Sequence, residues 1–183
     1  MILTLSQVEA LDLSHITDAA AHWQNVAQKW EDSFDAVHRE SQYPGGTSWQ
    51  GRAAEACYQH TGRDRFVALD AGDSLRDAAR VARNGADDLH WAKSEVLNAV
   101  EDARADGHQV TDNFMVVPPH PVRAPQAAAH AANIGDMVAV LNATDSEVAS
   151  NLTSAAAGVQ AVNHHFKQDA DPFGDVGAGL SRP

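Results

Sequence analysis

The chain has 183 residues, is 44% hydrophobic and carries thirteen Lys and Arg against twenty-five Asp and Glu, a formal charge of −12. That charge opposes binding to phosphate backbones, and an ordinary apolar content argues against disorder throughout. Alanine dominates the apolar fraction, isoleucine is rare and aromatics are 6%, a balance that favours helices over strands.

The opening "MILTLSQVEA" has no basic residues and Glu9 interrupts it, so it does not read as a conventional secretory signal. Ser6 and Glu9 have the spacing of a capping box for a short first helical turn. From Ser14 a longer stripe begins: Ile16, Ala19/Ala20, Trp23, Val26/Ala27, Trp30, Phe34 and Val37 recur every three to four residues. This predicts a helix over 14–41. "QYPGG" then allows the chain to reverse, since Pro44 lacks an N–H and Gly45 and Gly46 accept positive φ.

Thr47 and Gln50 have the spacing of a second capping box, opening a helix over 48–106. Its stripe passes through Ala54, Cys57/Tyr58, Leu69, Leu75, Ala79, Ala86, Leu89, Val96 and Val100 for close to 50 residues, or about 75 Å. Trp49 is expected to bury itself against the end of the first long helix, closing the hairpin, and Gly51 to let that helix approach. Gly107 is the expected C-terminal stop. "HQVTDNFMVVPPHPVRAP" predicts an extended, proline-rich connector over 111–123. Ile134, Met137, Leu141, Val148, Leu152, Val159, Val162 and Phe166 are spaced close to sevens, predicting a third helix over 124–167. The glycine-rich end, 168–183, is expected to be disordered.

The expected fold is all-α: an elongated antiparallel helical hairpin over 1–110, with a third long helix packed alongside. No apolar run approaches the length needed to span a bilayer. Cys57 is the only cysteine, which excludes an internal disulfide and a cysteine-based zinc site. Ten histidines are present, but there is no Glu-x-x-His pair, and adjacent His164 and His165 point about 100° apart on a helix. Nucleophile-elbow, phosphate-loop and zinc-protease motifs are missing. No enzyme, cofactor or metal function is therefore expected.

Trp49-Gln50-Gly51 in a short turn between two long helices resembles the WXG family of type VII (ESX) secretion substrates of actinobacteria. That family carries a Tyr-x-x-x-Asp/Glu element at the end of its second helix. The nearest match here is Trp91-Ala92-Lys93-Ser94-Glu95, with Trp in place of Tyr and a position inside the predicted helix. "LTLSQVEALDLSHI", "VEDARADGHQV" and "LNATDSEVASNLTSAA" are similar to the N-terminal helical secretion domains of longer actinobacterial proteins. The resemblance implies a non-enzymatic export substrate or targeting module with Trp49, Gly51, Trp91 and Glu95 as its recognition residues. It implies two kinds of partner: another WXG-like helical protein or a second copy, and the type VII machinery. It also implies a secreted or cell-envelope destination without a signal peptide. Residues i and i+4 share a helix face, so Trp91 and Glu95 would present an apolar plate beside a charge, suited to a pocket with a basic rim. The alternatives are a cytosolic helical partner or immunity protein, and a small metal-binding bundle.

Overall fold

The computed structural model describes residues 3–169, with side chains to 157. It is all-α apart from two short strands. The elements are α1 (Leu5–Glu9), α2 (Ser14–Glu40), α3 (Arg52–Ala105), β1 (Gln109–Val110), β2 (Val116–Val117) and α4 (Ala124–Asp169). Residues 168 and 169 continue α4, and the rest of the tail expected to be disordered lies outside the described residues.

Each helix start shows what its sequence signals did. α1 is capped by Thr4 and Gln7, each side chain bonding the other's backbone N–H. The expected Ser6–Glu9 box does not form because Ser6 is engaged elsewhere: its N–H donates to Asp112 Oδ1 at 2.8 Å. Ser14 opens α2, held by Asp12, which accepts from its N–H and its hydroxyl. The Thr47–Gln50 box also fails to form. Thr47 instead closes a 3-10 turn over Pro44–Gly46, with its N–H on the Pro44 carbonyl. α3 starts later, where the Gly51 carbonyl accepts from Glu55 N–H at 3.0 Å.

The end of α3 follows the expected stop. Gly107 has φ +82, its N–H reaches the Arg104 carbonyl, and His108 N–H reaches the Ala103 carbonyl. These two bonds form a Schellman motif, whose last residue normally turns an apolar side chain back onto the helix. Here that residue is His108. It is 3% exposed, and neither ring nitrogen has a hydrogen-bond partner among the described residues.

The connector is a small hairpin rather than a single extended arm. Gln109 pairs with Val117 and Val110 with Val116, antiparallel. The turn is closed by Thr111 N–H on the Met115 carbonyl, with Phe114 at φ +61. The prolines follow β2, so they do not interrupt the pairing.

The described chain divides into two compact units. Among the described residues, one comprises 3–19 and 81–151, the other 20–80 and 152–169. In the first unit, Leu5, Ala99, Val100, Ala103, Val116, Ala127 and Ile134 form one buried cluster. Leu5 is fixed there by its N–H on the Asp112 carbonyl, and Lys93 Nζ donates to the carbonyls of Glu9 and Leu11. Ile134, Leu141 and Val148 are buried at steps of seven along α4, as the spacing predicts. Gly85 sits beneath Val148: a Cβ there would meet Val148 Cγ1 at 2.7 Å. The side chains of Val159, Val162 and Phe166 lie outside the described residues.

In the second unit α2 and α3 run antiparallel. Ala20 and Ala27 of α2 and Ala68, Ala71, Leu75, Ala78 and Ala79 of α3 are buried. Arg76 forms a two-pronged ion pair with Glu31, and Arg65 pairs with Asp35. Further along, His38 Nδ1 lies 3.0 Å from Thr61 Oγ1, and its ring stacks on Tyr58 at 4.5 Å.

Two predictions follow from this packing. The Arg76 guanidinium holds the Glu31 carboxyl below its ordinary pKa, chiefly through their hydrogen bonds. A depressed carboxylate stabilises the fold above its unfolded pKa, and that contribution is lost as pH falls through the folded value. Glu31→Gln should therefore lower the thermal midpoint near neutral pH, with the gap to wild type closing below about pH 4. A gap that stays constant down to pH 2 would contradict this. His108→Leu should raise stability, by about 1 kcal/mol, because it removes unpaired buried nitrogens from a position suited to an apolar side chain. Denaturant midpoints for the two proteins decide it, and a lower midpoint for the variant would show that the imidazole is satisfied.

Candidate functional site

Trp49 lies in the irregular segment between Gly46 and Arg52. Contrary to expectation its indole is not buried, being 41% exposed. The physical reason is that the turn end of the hairpin has no buried layer to receive it. No residue from 28 to 67 is buried, and the helix ends meet there through His38, Ser41, Tyr58 and Thr61. Gly51 is needed for a different reason from the expected one. An added Cβ there would meet nothing within 4 Å, so the glycine makes no room for α2. Its φ is +103, a conformation that other residues rarely adopt. Gly51 is thus the bend through which the chain enters α3.

Trp49 and Gly51 line an open recess of about 480 Å³. Tyr43 and Tyr58, the chain's two tyrosines, line it too, with Glu55 as its one carboxylate. The His38 ring stacked on Tyr58 steadies that wall from the helix side. Glu55 is further held by Gln59, whose amide donates to Oε1 at 2.7 Å.

Trp91 and Glu95 lie one turn apart on α3, as expected from their spacing. Trp91 is 58% exposed and Glu95 half-buried. The buried face of this stretch is carried by Leu89, Ala92 and Val96, which leaves the indole facing outward. Trp49 and Gly51 belong to one compact unit, Trp91 and Glu95 to the other.

A polar group that sequence reading missed surrounds the end of α3. His130 Nε2 of α4 lies 2.8 Å from Asp106 Oδ2, which also accepts from Gln126 at 3.1 Å. These bonds, the His130 one foremost, hold the Asp106 carboxyl below its ordinary pKa. The His108 ring is tilted against His130, with centroids 5.3 Å apart. "ADGH" could have flagged this end as a helix stop, but nothing in it pointed to His130, 22 residues on. Among the described residues, no three His, Cys, Asp or Glu side chains are placed to hold a metal ion. The His164–His165 candidate falls outside the described side chains. Cys57 is partly exposed rather than buried as its place on the stripe suggests.

The two halves of the Trp-x-Gly segment should separate by mutation. Trp49→Ala should cost about 1–2 kcal/mol, well under the 3–5 typical of a fully buried indole. Gly51→Ala should cost about 1 kcal/mol through backbone strain alone. Urea titrations of both variants test this, and a loss above 4 kcal/mol for Trp49→Ala would mean that the indole is enclosed.

No family model matches the chain, and no solved structure matches it. The chain is similar to proteins named only as uncharacterized, from two strains of Mycobacterium tuberculosis and from Mycobacterium bovis, each 32% identical over 189 residues. The match covers 94% of this chain, which spans 58% of the length of each of these relatives.

Proposed function

We propose that the chain is a non-enzymatic helical module of type VII secretion, an exported substrate or the targeting part of one, acting through protein–protein contacts. The observation that carries this reading is Trp91, 58% exposed on an otherwise ordered helix with Glu95 one turn away. Keeping an indole in water forgoes the stabilisation that its burial would bring, and exposed tryptophans are favoured anchors in protein interfaces. The half-exposed Trp49 in its aromatic recess supplies a second such surface in the other unit. No helix of the described residues is long and apolar enough to cross a membrane. The mycobacterial origin of the relatives agrees with the actinobacterial family that the Trp-x-Gly segment resembles. The relatives also contain sequence outside the match, as proteins with a separate targeting region do.

The test is export from a mycobacterial host with and without a working type VII system. The intact chain should reach the culture filtrate only when the system works. Glu95→Ala should abolish export while changing stability by less than about 1 kcal/mol, as expected for a half-buried carboxylate with no ion pair. A chain retained in the cells under every condition would favour the cytosolic-partner reading instead.

A further inference from the structure

The surroundings of Trp91 define the chemistry of what it would meet. Asp87 and Asp88 precede it by four and three residues, and Glu95 follows by four, so all three carboxylates share its face of α3. Beside this face, α3 and α4 leave a recess of about 220 Å³. Asp88 belongs to both the face and the recess, and Glu147 of α4 stands on the recess wall with Asn84 and Asn151. Asp87, Asp88 and Glu147 are exposed. None of these four carboxylates forms an ion pair with a described residue. The one lysine on this stretch, Lys93, shares a recess with Asp87 but gives its ammonium to the carbonyls of Glu9 and Leu11. The result is an exposed indole, four carboxylates without an ion pair and a recess with Asp88 and Glu147 on its wall, all within one unit.

We infer that this face docks a basic segment of a partner protein, with one arginine laid on the Trp91 ring and a second cationic side chain in the recess between Asp88 and Glu147. An indole face attracts a guanidinium through its quadrupole, most strongly among the aromatic rings. Carboxylates on either side would hold the same guanidinium by charge-assisted hydrogen bonds. An acidic partner is disfavoured by like charge, and the chain's net charge of −12 extends that repulsion to its surroundings. A purely apolar partner would leave the carboxylates desolvated without a counter-charge. The inference rests on the reading of Trp91 as a recognition residue and adds the partner's chemistry, the role of Asp87 and Asp88, and a second contact on α4.

The experiment uses the full chain and a fluorescently labelled ten-residue peptide carrying four arginines, read by anisotropy at low and physiological salt. Lysine-for-arginine and glutamate-for-arginine peptides are the comparators. The arginine peptide should bind at least threefold more tightly than the lysine peptide, and the glutamate peptide not at all. Trp91→Ala and the pair Asp88→Asn with Glu147→Gln should each weaken binding tenfold or more, with circular dichroism unchanged. The pair Glu40→Gln with Asp70→Asn, which removes two exposed charges from the other unit, should weaken it less than twofold. Equal losses from the two charge pairs, or wild-type binding by Trp91→Ala, would overturn the inference, because the attraction would then be unspecific. Spermidine displacing the peptide as well as free arginine peptide does would also overturn it, as it would show a site for small polycations. If peptide binding fails while Glu95→Ala still blocks export, the docking chemistry is wrong and the export reading stands. The opposite pattern leaves a basic-partner site without an export role.

Discussion

Close approach of helices through alanine is the constraint on which the rest of this structure depends. Among the described residues, twelve of the twenty-two buried apolar residues are alanines, and no tryptophan, tyrosine or phenylalanine is among them. A seam of methyl groups brings backbones together and maximises contact along long helices, but it leaves no interior volume for rings. Aromatic side chains are therefore confined to the margins. Trp23, Trp30 and Phe34 are half-buried, while Trp49, Tyr43, Phe66 and Trp91 are exposed. The composition of the core thus decides which residues remain available to partners.

With so little apolar volume in each contact, polar fastening carries much of the specificity. In the second unit the Glu31–Arg76 and Asp35–Arg65 pairs set the register of α2 on α3. In the first, Asp112 takes the N–H of Ser6 on its side chain and that of Leu5 on its carbonyl, so α1 is tied to the β-hairpin. Its carboxyl is held below the ordinary range by the Ser6 hydroxyl and N–H. Lys93 ties the other end of α1 to α3. A five-residue helix has no stability of its own, and these bonds explain why α1 persists where it does.

The helices were legible in the sequence because helical periodicity repeats over many turns, so local errors average out. The steps of seven at Ile134, Leu141 and Val148 and the Gly107 stop are examples. Capping boxes are four-residue patterns without that redundancy. Ser6–Glu9 and Thr47–Gln50 had the right spacing, but Ser6 was taken by Asp112, 106 residues away, and Thr47 by a preceding turn. Trp49 was misplaced for a similar reason: its burial depends on the gap between two helices, which no local pattern reports. Of the proposed recognition residues, the Trp91–Glu95 pairing on one face could be read from spacing alone. Glu147 beside Asp88 could not, since that neighbourhood exists only once α4 lies against α3.

The contact of Gly85 with Val148 ties two distant positions into a single volume. The missing Cβ at 85 and the two methyls at 148 fill the same space, so a methyl gained on α3 must be given up on α4. Homologous chains that keep this crossing would show the two sites exchanging bulk in concert, as Ala with Ala or Gly with Val. Gly85→Ala alone would clash with Val148, whereas trimming Val148 alone would leave a void. In such a lineage the pair behaves as one inherited character carried on two codons.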